Sequence, residues 1–597
     1  MELHYIDISI ILAYVAATIF IGVYISKRAS KNLDSYFLGS KSLPWYILGV
    51  SNASGMFDIT GTMWLVYLCF VYGMKSAWIP WIWPVFNQIF LMVYLSAWVR
   101  RSNVLTGAEW ISTRFGKGVG GNLAHLSVVT FALVSVIGFL AYAFQGIGKF
   151  SALFLPWDIS PNIYALIFMG ITTVYVVMGG MFSVVFTEVL QFGIMTVSSV
   201  AVGIIAMSKV SPELLNRVIP EGWRSIFFGW HLNLDWAGIM DSVNAKIEAD
   251  GYSLFVIFFI MMMFKGVLVS MAGPAPNYDM QRILATRNPK EAGMMSGFVN
   301  VVLIFPRYML ITGLTVLALA FFSPELKAMG ANIDFELVLP YAIKNFLPVG
   351  LMGLLLAGLL SAFMSTFAAT VNAAPAYIVN DLYKRFINPK ASDKTYVRIS
   401  YIASLGVVAV GVVFGFFAES INQVTLWIVA ALWGGYAAPN VLKWYWWRFN
   451  AYGYFWGMIL GILAAMAVPQ VFQGLSALEG FPIILVVSTL GCIIASLMTK
   501  PESDEILKEF YSRVRPWGFW EPVYRKVIAD NPDFKKNRHF KRDWFNIGIG
   551  LIWQITLVAI PMYIVLKQNV SIVVGFIILI FTSYILKKNW YDKMDED

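Results

Sequence analysis

Charge is scarce in this chain: Asp, Glu, Lys and Arg make up 13% of its 597 residues, about half the share of an ordinary soluble protein. There are two cysteines, Cys69 and Cys492, each inside an apolar run. A disulfide framework and a cysteine metal site are thereby excluded. The four histidines stand far apart, at 4, 125, 231 and 539, and form no metal-ligand spacing. No GxxxxGK loop occurs, which argues against an ATP-driven pump. A membrane enzyme would need His, Cys or paired acids gathered at one depth, and the sequence offers no such cluster. No segment is large enough for a kinase-type signalling module, so a membrane sensor ranks below a carrier.

Apolar residues are abundant, at 59%. Runs long enough to span a bilayer, about 20 residues, recur along almost the whole chain. The expected spans are 5–26, 45–72, 77–99, 121–148, 161–178, 182–206, 252–273, 296–322, 349–378, 399–418, 422–442, 452–471, 480–499, 545–566 and 570–586, about 15 transmembrane helices. The net charge of +9 does not point to nucleic acid, because Lys and Arg are confined to particular loops. Lys27, Arg28 and Lys31, then Arg100, Arg101, Arg114 and Lys117, then Arg282, Arg287 and Lys290 fall in alternate loops, the distribution that orients spans with positive loops inside. In the first span the positive charges follow the apolar stretch, unlike a cleavable signal. The expectation is an uncleaved first span, N-terminus outside and C-terminus cytoplasmic, in the plasma (inner) membrane.

Two spans are interrupted. Span 2 contains GVSNASGMFDITGTMW (49–64), with three glycines, small polar residues and Asp58 at membrane depth. Span 7 ends in SMAGPAPNYDMQR (270–282), with Gly273, Pro274 and Pro276 close together. Backbone freed by such breaks is tolerated in a membrane only where protein or a water-filled cavity satisfies it. Paired broken helices at matching positions of two halves point to a transporter's substrate and ion site. The organisation expected is an N-terminal extra span (1–30), a first five-helix repeat (45–206), a second inverted five-helix repeat (252–442), two further spans (452–499), a cytoplasmic linker lying on the membrane surface (500–544), and two C-terminal spans with a tail (545–597) that extend a complete core.

Span 9 carries Ser365 and Thr366 side by side, with Ala362 one turn earlier. On a helix, that carbonyl and those hydroxyls share a face. A hard cation takes oxygen ligands, and unwound carbonyls of a broken helix can supply the rest. Ser and Thr also bond back to their own helix or pack between helices, so the pair alone is ambiguous.

With the stretches DSYFLGSKSLPWYILGVS (34–51), VYVVMGGMFSVVFTEVLQ (174–191), LLSAFMSTFAATVNAAPAYIVNDLYK (359–384) and PWGFW (516–520), the chain resembles the sodium/solute symporters, the family of sodium-coupled glucose, proline, pantothenate and sialic acid carriers. The resemblance runs from residue 5 to about 525. It implies an all-α polytopic membrane protein with a LeuT-like inverted-repeat core, and sodium:solute symport by alternating access. It also implies a sodium ion on the hydroxyls of Ser365 and Thr366 and the carbonyls of Ala362, Ser54 and Phe57; registering Asp58 with the acid of the proline carriers would instead give Met56 and Ile59. Positions that bear hydroxyls in relatives with a further sodium are Ala368 and Ala369 here, and the acid of the fifth core helix is Glu188 instead of Asp. One sodium per solute is therefore expected.

The sugar carriers' aromatic gate has no counterpart in SMAGPAP, which leaves glucose itself unsupported. Intramembrane charges are costly and tend to be functional. The solute or coupling candidates are Asp58, Thr60, Gly61, Asn87, Gln145, Glu188 and Lys265, with Arg307 a further cation. Structural ion pairing, snorkelling or interhelical polar contact are the plainer roles for Lys265, Arg307, Gln145 and Asn87. The expected partners are a small sugar, amino acid or organic acid, sodium as coupling ion with no other cofactor, and lipid, in a monomer or weak oligomer. A proton-coupled carrier using Asp58 and Glu188 is the competing reading.

Overall fold

The computed structural model describes residues 3–29, 32–83, 85–155, 157–328, 338, 343, 348–418, 433–472 and 474–594. Its long helices are α1 Tyr5–Ala29, α2 Trp45–Met56, α3 Ile59–Tyr72, α4 Val119–Phe154, α5 Pro161–Lys209, α6 Phe255–Met271, α7 Tyr278–Ala285, α8 Pro289–Ala328, α9 Leu351–Ala376, α10 Asp393–Phe417, α11 Trp433–Tyr445, α12 Ala451–Val471, α13 Ala477–Met498, α14 Asp504–Val514, α15 Glu521–Asp530, α16 Phe540–Val565 and α17 Asn569–Asn589. A helix satisfies its backbone internally, which lipid demands.

Among the described residues, ten helices are long and apolar enough to cross a membrane, and the bent pair α2–α3 brings the number to eleven. The expected 15 differ from this for definite reasons. The segments 161–177 and 255–271 are apolar but shorter helices. Residues 77–99 form a succession of short 3-10, α and π turns. Most of 422–442 lies outside the described residues. Within α5 two helical segments meet at Gly180, whose φ is +50°. A Cβ there would lie 2.6 Å from the Tyr36 carbonyl oxygen, so only glycine fits.

Both expected breaks are present. Helices α2 and α3 meet at Phe57–Asp58 with a bend of 66°. Helix α6 stops at Met271, and α7 begins at Tyr278 after Gly273, whose φ is +89°. Helix α9 packs along α5, and α1 packs along both. The long loop 207–251 caps the end of α3: Trp223 and Trp236 are buried and donate to the carbonyls of Phe70 and Val71.

Two features of the C-terminal part add to the expected organisation. The segment 500–544 packs on the bundle. Leu507, Phe510, Tyr511 and Trp520 are buried, and the Trp520 ring covers the Arg114 guanidinium at 4.9 Å. Arg114 in turn donates to the carbonyls of Lys443, Trp446 and Phe449, tying the segment to the end of α11. Helix α16 is no appendage to a complete core, because it packs along α8 and reaches the central cavity.

Candidate functional site

The break after Met56 arises from sequence. Gly55 and Gly61 flank it, and Asp58 caps α3 by accepting from the Gly61 amide at 2.6 Å. Such a cap fixes where a helix restarts. The Asp58 carboxylate also accepts from Tyr142 at 3.0 Å and from Arg307 at 3.1 Å. Arg307 donates to the Met56 carbonyl at 3.0 Å as well, and its guanidinium lies over the Phe57 ring. A Cβ on Gly61 would stand 2.5 Å from the Asp58 carboxylate; glycine is what lets the pair close.

On the other side of the break lies the hydroxyl pair. Ser365 donates to the Ser54 hydroxyl at 2.8 Å, and Thr366 donates to the Gly55 carbonyl at 2.8 Å and the Ala362 carbonyl at 3.1 Å. The structure thus brings Ser54, Ala362, Ser365 and Thr366 together across α2 and α9. The carbonyl that meets Thr366 is that of Gly55, between the two positions the resemblance implied; the Ser54 carbonyl accepts from the Phe57 amide. Phe57 itself is at the break and buried.

Deeper still, Glu188 and Arg282 form an ion pair with both side chains fully enclosed. Arg282 reaches both carboxylate oxygens at 2.8 Å, and Ser51 joins the pair by donating to Glu188 and accepting from Arg282. Glu188 therefore faces α2 and Arg282, and does not line the cavity.

A cavity of about 350 Å³ opens beside the break. Asp58, Thr60, Gly61, Asn87, Arg307 and Thr366 line it, with Tyr142, Gln88, Asp279, Asn300 and Gln554. Trp64, Trp81 and Trp83 add aromatic walls. Mixed apolar walls with a few convergent polar groups are what a small-molecule site needs. Gln145 and Lys265 stand elsewhere. Gln145 donates to the carbonyls of Gly415 and Ala418, holding α4 to α10. Lys265 is buried with its ammonium over the Phe481 ring.

Sequence reasoning missed Tyr142, Gln88, Asp279, Arg282 and Gln554. Asp279 follows a Gly-Pro break much as Asp58 follows a glycine one, so the same rule would have found it. The adjacency of Gln88 to Asn87 in an apolar run was a second available signal. Nothing in the spacing marks Gln554 or pairs Glu188 with Arg282.

A family model described as "Sodium:solute symporter family" matches residues 36–461. The chain is 24% identical over 499 residues to a sodium/glucose cotransporter 4 of Danio rerio, covering 77% of this chain and 71% of that protein. It is 23% identical over 557 residues to a sodium/myo-inositol cotransporter 2 of Oryctolagus cuniculus, covering 84% and 78%. Among solved structures, a substrate-bound, outward-open Na+-coupled sialic acid symporter superimposes with a TM-score of 0.66 at 18% identity, covering 84% of this chain and 99% of that one.

Proposed function

The chain belongs to the sodium:solute symporter family, a multi-pass sodium-coupled carrier of a small solute with the LeuT-like fold and not an enzyme, and we propose that its solute is polyhydroxylated and binds in the cavity beside the first broken helix. The carrying observation is that one cavity joins the Asp58–Arg307 pair, the amides of Asn87, Gln88, Asn300 and Gln554, and three tryptophans. Amides and a charged pair suit hydroxyls, and aromatic faces suit the apolar face of a ring. The relatives named for glucose, myo-inositol and sialic acid support this class. A carboxylate on the solute is favoured by Arg307, whose Nε is buried without a partner among the described residues and suits a planar anion.

The sodium ion binds where α9 meets the break: the hydroxyls of Ser365 and Thr366, the Ala362 carbonyl and carbonyls of residues 54–57 supply oxygen. Thr366 lines the cavity while Ser365 is enclosed, so the ion would sit between cavity and core. Sodium in place holds α2 against α9 and presents Asp58, Thr60 and Gly61 to the solute. Each sodium crossing 100 mV supplies about 2.3 kcal/mol from voltage alone. The two breaks occupy matching positions in inverted repeats 45–206 and 252–442, and the positive loops put the N-terminus outside and the C-terminus in the cytoplasm of the plasma (inner) membrane.

The test uses purified protein. Melting temperature is compared in sodium chloride and choline chloride at equal ionic strength, for wild type and Ser365→Ala/Thr366→Ala. A ligand that binds the folded state alone stabilises it by RT ln(1 + [L]/Kd). Sodium should raise the wild-type value by clearly more than it raises that of the double variant, and an equal rise in both would remove the α9 site. Proteoliposomes with an inward sodium gradient are then offered labelled glucose, myo-inositol, sialic acid and proline. Sodium-driven uptake of proline with none of the polyhydroxylated compounds would sink the proposed solute class.

A further inference from the structure

Three carboxylates surround the first broken helix, and they differ in how their charge is met. Glu188 has Arg282 and Asp58 has Arg307. Asp279, at the start of α7, has neither. Its Oδ1 accepts from the Asn52 amide at 2.7 Å and the Gln88 amide at 3.1 Å. Both donors are neutral, and among the described residues no cationic group bonds to the Asp279 carboxylate. Arg282 is three residues along the same helix, but its charge is spent on Glu188. A buried carboxylate in a membrane protein without a countercharge is costly.

The two amides carry a second, independent observation. Asn52 is fully buried and Gln88 is 5% exposed. Their oxygens, Asn52 Oδ1 and Gln88 Oε1, are enclosed and without a hydrogen-bond partner among the described residues. An unpaired buried acceptor costs free energy. Asp279 thus gathers two amides that face it with their NH2 groups and whose oxygens lack partners among the described residues. That set has surplus acceptors, and its nearby cation, Arg282, is bonded to Glu188 and not to it. Asp279 and Gln88 line the cavity, so the place is reachable from it. Oxygen donors with one negative charge are what a hard monovalent cation takes.

We propose that Asp279, Asn52 and Gln88 form a second sodium site, filled through the cavity and separate from the one on α9. Asn52 is on α2, Gln88 on the short helix Asn87–Phe90, and Asp279 on α7. An ion there ties the first half of one broken helix to the second half of the other. Binding turns both amides so that their oxygens face the ion where their NH2 groups faced the carboxylate, and the ion takes over the neutralisation of Asp279. The chain then moves two sodium ions per solute, against the single ion expected from Ala368 and Ala369. The inference rests on the sodium-coupled reading above but not on the residues of its ion site.

Equilibrium binding of radioactive sodium to the full-length protein in detergent, without solute, tests this. Wild type should hold two ions per chain. Asp279→Asn, which keeps the size and the amide contacts, should hold one, as should Ser365→Ala/Thr366→Ala, and the three changes together should hold none. Asn52→Leu keeps the carboxylate and removes one oxygen; it should weaken one of the two binding steps about tenfold. One ion per chain in wild type overturns the second site. That count is the result expected if a proton meets the Asp279 charge; an unchanged count of two in monodisperse Asp279→Asn also overturns the site. Loss of an ion in Asp279→Asn with none lost in Ser365→Ala/Thr366→Ala would leave this site standing and remove the α9 site.

Discussion

The sealed side and the open side of the first broken helix use the same chemistry for different ends. On the sealed side, Glu188 and Arg282 are both wholly buried and locked to Ser51. On the open side, Asp58 and Arg307 keep 20% and 14% of their side-chain surface in the cavity wall. An ion pair that never meets water has no state in which its partners can be solvated apart, so the first pair acts as a strut. The second sits where a solute can exchange for one partner without exposing a bare charge. Position in the fold, and not residue type, separates scaffold from working part.

The largest effect should come from breaking the strut. Arg282→Met leaves Glu188 buried and uncompensated, which costs about 3–5 kcal/mol. The variant should melt far below wild type in detergent or fail to fold, and sodium should not restore it. If Arg282→Met melts within a few degrees of wild type, the sealed pair is not a strut and the contrast falls.

Breaking the open pair should separate function from stability. Asp58→Asn keeps an acceptor for the Gly61 cap but removes the negative charge that pairs with Arg307. Its stability should fall by about 1–2 kcal/mol, while sodium-driven uptake drops by about 100-fold or more. Equal damage to stability by Arg282→Met and Asp58→Asn would make the two sides alike. A finer cut is Tyr142→Phe, which removes only the hydrogen bond at 3.0 Å to Asp58. A loss of about 1 kcal/mol predicts about a fivefold rise in the solute concentration for half-maximal uptake. The sodium-induced rise in melting temperature should be unchanged.

What was legible in the sequence was local. Glycine and proline inside apolar runs announced both breaks, because those residues act on the backbone where they stand. The serine–threonine pair on α9 was visible for the same reason, although that it faces Ser54 and Gly55 required the fold. Asp58, Thr60 and Asn87 are polar residues at membrane depth, and with Gly61 of the break they line the cavity. Lys265 and Gln145 met the same criterion but are held by Phe481 and by α10, because composition cannot say which way a helix face turns. The pairing of Glu188 with Arg282 joins residues 94 apart, and no pattern within one helix encodes it. Asp279 escaped because NYDMQR reads as the polar edge of a span when its depth is unknown. The docking of 500–544 escaped too, since an amphipathic helix has the same pattern on lipid as on protein.

The smallest expected effect concerns the cavity wall that the C-terminal part supplies. Gln554 lies on α16, beyond the residues that the family model matches. Its amide donates to Asn300 at 2.9 Å and to the Val85 carbonyl at 3.0 Å, and its Oε1 is buried without a partner among the described residues. Held from two sides, the amide has one orientation and offers one acceptor to the cavity wall. Gln554→Leu removes that acceptor while keeping much of the volume. It also unpairs Asn300 and the Val85 carbonyl, for about 1–2 kcal/mol of stability. Solutes that place a hydroxyl there should lose about two- to tenfold in uptake relative to analogues lacking it. The sodium-induced thermal shift should stay at the wild-type value, since neither ion site includes Gln554. Paired uptake of such analogues by wild type and Gln554→Leu measures the ratio. An unchanged ratio would confine solute recognition to the family-matched part and make α16 a passive wall; a changed one would extend the open side of the site to a helix that the matched segment does not contain.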